Sequence, residues 1–218
     1  MIRKFEVENF MSLKDVSVDL RPLTVFIGPN GSGKSALFKA LVILSRLLNG
    51  APVRGQKGEF QMEAGVTFDD IVYGSNSGLP IKFRVWFDDD EEEPGYILEL
   101  KKGAEGWSVA REKIRQGKES IEVDEDHPFQ HPTERGTPRT HTPPMRASLT
   151  YLVQPFVNDT AARPVIEPVI QLTKRFGFAH RYRPSASDIA AVHSRPSEPG
   201  HTFYVAENGR GVAAGSTG

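Results

Sequence analysis

The sequence predicts an α/β fold, and three observations carry that prediction. Residues 23–27, Leu-Thr-Val-Phe-Ile, form an almost continuously apolar run of strand length with a glycine-rich turn directly behind it. The stretch from Ala36 to Leu48 is apolar around most of a helical circumference. From Phe60 to Val123 short alternating segments succeed one another without a helical period, which places an antiparallel β region beside the strand, turn and helix.

Taken in order, Ile2 to Phe10 alternates around Phe5 and Val7, and Val16 to Leu20 alternates again. These are two half-buried strands joined by a turn near Ser12 to Asp15. Leu23 to Ile27 reads as a strand covered on both faces, as in a parallel sheet. The following helix carries Leu37, Phe38, Leu41, Ile43, Leu44, Leu47 and Leu48, and Asn49-Gly50 supplies its stop. The next strands are Gln61–Phe68, Ile81–Phe87, Tyr96–Leu100, Trp107–Ile114 and Ser120–Val123. Turn formers at Ser77-Gly78, Pro94-Gly95 and Lys102-Gly103 separate several of them, so an antiparallel meander is the economical arrangement.

Asp124 to Arg146 is rich in Pro, His and Thr and poor in aliphatic residues, which predicts a long surface loop or mobile insertion. His127, His131 and His141 lack acidic or cysteine partners at fixed spacing and read as solvated loop histidines rather than metal ligands. A strand at Leu149–Val153, a helix over Val165–Phe176 with Pro164 and Pro168 blurring its start, and a strand at Thr202–Ala206 complete the pattern. Residues 1–218 are thus expected to form one domain. Its parts are a tight unit at 1–50, the β region at 60–123, an insertion at 124–146 and a strand-helix-strand segment at 149–206.

Composition narrows the class. With 218 residues, 38% hydrophobic and 25% charged, the chain can bury a core. A formal net charge of −1 provides no global field for nucleic acid. The absence of cysteine excludes disulfides, thiolate metal sites and cysteine nucleophiles. Met1 to Phe10 has no signal-peptide apolar core, and the apolar stretch 36–48 is interrupted by Lys39 and Arg46 and is too short to span a bilayer. A cytoplasmic protein with no membrane partner is the expectation.

The chemistry is concentrated at Gly28-Pro29-Asn30-Gly31-Ser32-Gly33-Lys34-Ser35, a full Walker A phosphate-binding loop set between a predicted strand and a predicted helix. Glycines let the backbone take conformations closed to other residues and bring its N–H groups close to phosphate oxygens. The helix start adds unpaired N–H groups and the positive end of its dipole. Lys34 then reaches the β- and γ-phosphates, and the Ser35 hydroxyl can ligate Mg²⁺. A nucleoside triphosphate with Mg²⁺ is the expected ligand, and the absence of an Asn-Lys-x-Asp guanine-reading motif weighs against a GTPase. Phe83 to Asp89 offers an apolar run ending in acids. Its alternation and the acidic tract through Glu93 read instead as an antiparallel edge strand and a solvated turn.

The opening Phe5-Glu6-Val7-Glu8-Asn9-Phe10-Met11-Ser12-Leu13-Lys14-Asp15, followed by Leu23–Ile27 and the loop GPNGSGKS, resembles the N-terminal lobe of the RecF, SMC and OLD-like ABC-type ATPases. In that group a strand pair ending in Asn-Phe-x-Ser precedes such a loop. Tyr182-Arg183-Pro184 and Glu207-Asn208-Gly209 resemble, more faintly, segments of bacterial AAA-type RecF-like ATPases, some associated with phage defence. The resemblance implies a P-loop NTPase head that sandwiches ATP between two protomers, a homodimer or a partner chain meeting it through the ATP face, with DNA or an effector protein under its control. It also places Gln154 where relatives carry a glutamine that senses the γ-phosphate and Mg²⁺, although a lone glutamine at a strand end is also simply solvated. Met11 stands where relatives often carry a basic residue. The strand ending in Asp-Glu, the Leu-Ser-Gly-Gly signature and the histidine switch of that plan are not found, so the catalytic carboxylate is unknown and the head reads as incomplete. An apolar strand without its neighbour predicts pairing with another chain.

Overall fold

The computed structural model describes residues 2–48, 67–87, 92–103, 106–134, 136–143, 148–175, 179–182 and 203–206. Strands β1 (Lys4–Phe10) and β2 (Leu13–Asp19) form the expected antiparallel hairpin, with Phe5 opposite Val18 and Val7 opposite Val16. The meander is present as β3 (Ile81–Trp86), β4 (Tyr96–Gly103), β5 (Gly106–Gln116) and β6 (Glu119–Val123). It continues the hairpin into one six-stranded antiparallel sheet in the order β2-β1-β3-β4-β5-β6. Strand β3 is therefore interior, paired to β1 on one side and β4 on the other, and not the edge strand that its acidic flank suggested. Asp88 and Asp89 lie outside the described residues.

Period-two alternation gives this sheet two unlike faces. Phe5, Val7, Ile81, Phe83, Val85, Tyr96, Leu98 and Leu100 are buried on one side, with Phe5 stacked on Phe83 at 6.2 Å. The other side is a lattice of ions. Arg84 Nη1 lies 2.5 Å from Glu8 Oε1 and 3.4 Å from Glu6 Oε2, and Arg111 reaches Glu122 at 2.5 Å and Glu99 at 3.5 Å. The buried face is covered by α1 (Lys34–Leu48), the one-turn helix α3 (Leu149–Leu152) and α4 (Arg163–Arg175). A further short helix, α2 (Phe68–Ile71), sits beside the sheet, so Phe68 opens a helix where a strand end was expected. The remainder of that expected strand lies outside the described residues.

A bulge puts an acid into the core. The register shifts at Glu99 and Leu100, which face Arg111 and Val109, so Ala110 is the extra residue and the inward set of β5 changes parity. Glu112 then stands opposite Leu98 and Val123 on the buried face and is fully inaccessible. Its carboxylate accepts bonds from the Tyr96 hydroxyl at 2.8 Å and from the Leu149 N–H at 2.7 Å. Burial pushes its pKa up to about 7, while those two donors restrain the rise. The N–H it takes is one of the unpaired donors at the start of α3.

That contact helps explain one departure from expectation: Leu149–Val153 is not a strand. Leu152 N–H returns to Ser148 O at 3.1 Å and Val153 N–H to Leu149 O at 2.9 Å, and Gln154–Phe156 continues as a 3-10 turn. A short apolar run fits either state, and here the helix wins because its first N–H has a buried acceptor. The segment 124–146 likewise departs from a loop: β7 (Phe129–Thr133) and β8 (Gly136–His141) form a hairpin. Aromatic rings replace the missing aliphatics, with His131 fully buried 4.3 Å from Phe156 and 5.6 Å from His141. His127 is exposed and pairs with Asp124 at 2.7 Å, as a solvated histidine does.

Helix α4 begins where Asp159 Oδ1 accepts the Ala161 and Ala162 N–H groups, holds Pro164 in its first turn, and buries Ile166, Val169 and Leu172. Strand β10 (Phe203–Ala206) appears as expected and pairs in parallel with β9 (Ala179–Tyr182), a strand that the sequence pattern did not single out. No described helix is long and apolar enough to cross a membrane.

The two faces should respond differently to truncation. Phe83→Ala should destabilise the chain by about 3–5 kcal/mol through the cavity it leaves, whereas Arg84→Ala on the ionic face should cost about 1 kcal/mol or less. Urea unfolding of the two variants measures the contrast.

Candidate functional site

The phosphate loop is built on the start of α1. Leu37 N–H closes the first helical bond to Gly33 O at 2.9 Å, so the N–H groups of Lys34, Ser35 and Ala36 precede the helical ladder. The first turn carries no acidic side chain to occupy them. Gly31 and Gly33 have φ of +82° and +88°, in the left-handed region that glycine enters without strain. The Lys34 ammonium folds back across the loop, donating to Gly28 O at 2.7 Å, Pro29 O at 2.7 Å and Ser32 Oγ at 3.1 Å. A Cβ at Gly28 would stand 3.0 Å from Ser32 Oγ and 3.9 Å from Lys34 Nζ, so the missing side chain is what leaves the cradle open. Asn30 and Ser35 are exposed at its mouth.

The loop rests on the β1–β2 turn. A Cβ at Gly33 would meet Leu13 Cδ2 at 2.9 Å, closer than real side chains come, with Ser12 Oγ in ordinary contact at 3.6 Å. The turn itself is held in an unusual shape, with Asn9 and Met11 at φ of +56° and +51°. Asn9 Nδ2 donates to Pro80 O at 3.0 Å and Met11 N–H to Ile71 O at 2.6 Å, which fixes both residues. Met11 packs against the core, so its thioether serves as a filler there. The support from Ser12 and Leu13 escaped the sequence reading. The adjacency of an Asn-Phe-x-Ser turn to a phosphate loop was the available signal.

The run before the loop does not follow expectation. Residues 24–29 form no strand, and Leu23, Val25 and Ile27 are 59%, 62% and 91% exposed instead of covered on both faces. Phe26 alone turns inward, edge-on to Phe38 of α1 at 5.5 Å. The six-stranded sheet gives this segment no neighbour: its members are β1 to β6. The backbone of Gln154 lies in the 3-10 turn after α3 and not at a strand end.

The donor set suits a nucleoside triphosphate: unpaired helix N–H groups, two left-handed glycines and one lysine, with no competing acid in the first turn. Among the described residues no cluster of three His, Asp or Glu could hold a metal. A Mg²⁺ ion accompanying a nucleotide at this loop would find the Ser35 hydroxyl beside the phosphates.

Residues 1–187 match the model of a family described as the AAA ATPase domain. The chain belongs to this family. The Asn-Phe-x-Ser turn and the Walker A loop fall inside the matched region. A 41-residue stretch is 42% identical to the OLD nuclease of Thermus scotoductus, covering 19% of this chain and 8% of the nuclease. The chain thus spans only a small part of that relative. A solved chain from work on ATP-driven dimerization and DNA-stimulated activation of SMC ATPases is 15% identical. It covers 89% of this chain and 92% of its own length at a TM-score of 0.29, which supports no inference about arrangement.

This AAA ATPase domain's loop makes a graded prediction. Gly31→Ala meets open space and should cost only backbone strain of about 1–2 kcal/mol, whereas Gly33→Ala must also displace Leu13 and should cost a further 1–3 kcal/mol or so. Thermal unfolding of the two variants without nucleotide would show the difference.

Proposed function

We propose that the chain is the ATP-binding lobe of a RecF, SMC or OLD-like ATPase head. In this reading Mg·ATP binds at Gly28–Ser35, and hydrolysis is coupled to dimerisation through the ATP face and to control of DNA or an effector protein, in DNA repair or phage defence. The observation that carries the reading is the Lys34 ammonium held by three neutral oxygens of its own loop. Exchanging those neutral acceptors for phosphate oxygens sets the ammonium against opposite charge, so that both partners of each bond are ionised. The helix start adds its unpaired N–H groups and dipole. When bound, Mg²⁺ would neutralise part of the phosphate charge. Ser35 Oγ and, following the family resemblance, Gln154 are the residues assigned to it.

A second reading, a nucleotide-binding regulatory module without hydrolysis of its own, is favoured by the position of β3. The apolar strand that leads to Asp88 and Asp89 is committed to the antiparallel sheet between β1 and β4. Phosphoryl transfer needs a group to hold the attacking water as well as a cradle for the phosphates. The exposed Leu23, Val25 and Ile27 support placing that group on a strand supplied by polypeptide outside these residues or by another chain. In this account the single domain over 1–218 is an incomplete head.

Calorimetry with Mg·ATP tests the reading directly. Wild type should bind and Lys34→Ala should lose most of the affinity; equal binding by both would refute the assignment. In a turnover assay the isolated chain should hydrolyse ATP very slowly. Robust hydrolysis abolished by substituting Asp88 and Asp89 would instead place the water-holding acid on the segment after β3.

A further inference from the structure

The buried carboxylate of Glu112 lies at the centre of a polar joint that the phosphate loop does not use. On one side it accepts the Tyr96 hydroxyl of β4, and on the other the N–H of Leu149, the first residue of α3. The residues flanking that N–H turn to α1. Ser148 Oγ and Thr150 Oγ1 each lie 2.9 Å from Leu47 O, near the last described turn of that helix, and 2.7 Å from one another. Two hydroxyl protons serve three short contacts, so one hydroxyl donates to the other while the second donates to Leu47 O. All three side chains are fully buried. Helix α1 therefore has its first turn in the phosphate loop and its last turn clamped by side chains about a hundred residues away in sequence.

We propose that Glu112 is a positioning residue for nucleotide binding, holding the head of α3 so that Ser148 and Thr150 fix the far end of the helix whose first residues are Lys34 and Ser35. The proposal rests on the reading of this loop as an ATP site. An α-helix is stiff along its axis, and a displacement at Leu47 is carried to Lys34 as a shift of the whole rod. The carboxylate form of Glu112 gives two full acceptors to two donors. Protonation turns one oxygen into a donor, forces the Tyr96 hydroxyl to accept, and removes the charge from the bond to Leu149. Among the described residues no cation pairs with Glu112. Arg111 and Lys113, its neighbours along β5, and Glu122 of β6 are engaged with one another on the opposite face of the sheet. Arg46 of α1 is exposed, and on α4 Arg163 pairs with Glu167. Burial holds the Glu112 pKa at about 7, within the range where the joint can change state.

Loosening the joint and relieving a buried charge have opposite signs, and that separates positioning from simple support. A group whose pKa is raised on folding contributes stability that is lost as pH rises through the folded value. The Glu112 contribution to thermal stability should therefore grow as pH falls from 8 to 6, while nucleotide affinity falls.

The test compares wild type, Glu112→Gln and the double variant Ser148→Ala, Thr150→Ala. Mg·ATP calorimetry and melting are followed at pH 6 to 8, with amide-exchange protection, referred to the intrinsic exchange rate at each pH, at Leu37–Leu41 of α1 and at Leu149 in the absence of nucleotide. Wild-type affinity should fall on the order of five-fold from pH 8 to 6, relative to Glu112→Gln, a modest coupling between two sites. Glu112→Gln should show the weak affinity at every pH, and both variants should lower protection at Leu37–Leu41. Protection at Leu37–Leu41 unchanged by either variant and by pH would overturn the proposal whether or not ATP binds. Affinity and stability moving together with pH would reduce Glu112 to a structural residue and overturn it as well. Lowered protection without any ATP binding by wild type would leave no nucleotide site to position, refuting both this proposal and the ATP assignment. The ATP assignment alone survives if binding is strong but protection is unmoved.

Discussion

A side chain at position 33 would have to take the space of Leu13 Cδ2, and the absence of one lets the phosphate loop lie directly on the β1–β2 turn. The rest of the site follows from that contact. The turn is the end of the hairpin that starts the sheet, and its left-handed Asn9 and Met11 are pinned to Pro80 and Ile71. The sheet's buried face carries α1, so the helix that presents Lys34 lies on the same sheet whose first turn supports the loop, and its far end is held by Ser148 and Thr150. A loop of eight residues gains a fixed shape because the antiparallel lobe supplies its floor.

The segment leading into the loop obeys a different constraint. Leu23, Val25 and Ile27 point to solvent while Phe26 packs on Phe38, so exposed and covered side chains alternate in a segment that forms no strand. Burying such side chains is worth roughly 1.5–3 kcal/mol each, a gain left unrealised by the described residues. An antiparallel sheet that is already paired from β2 to β6 does not provide it. In the proposed reading of an incomplete head, a further strand would supply that cover.

The sequence pattern located the hairpin, α1, four of the meander strands and α4 to within a few residues, because each has a clean period of two or of 3.6. It also singled out Gly28–Ser35, since glycine, lysine and serine are needed in a phosphate loop for separate reasons at fixed spacing. Where it failed, the deciding partner was distant. The helical state of Leu149–Leu152 is favoured by Glu112, 37 residues earlier. The inward orientation of Glu112 depends on a bulge at Ala110 that no alternation reveals. The hairpin in 124–141 is held by Phe129, His131, His141 and Phe156, whose rings pack as a cluster although the composition reads as loop. The run 23–27 was read as buried on both faces from its apolarity, and apolarity records what a segment needs rather than what covers it.

If the loop at Gly28–Ser35 cradles the β- and γ-phosphates of a nucleotide, phosphorus NMR of Mg·ATP titrated with the chain reads that contact at the atoms concerned. The β- and γ-phosphate resonances should shift and broaden on adding protein, more than the α-resonance. Three resonances unchanged at protein in excess over nucleotide would rule the cradle out.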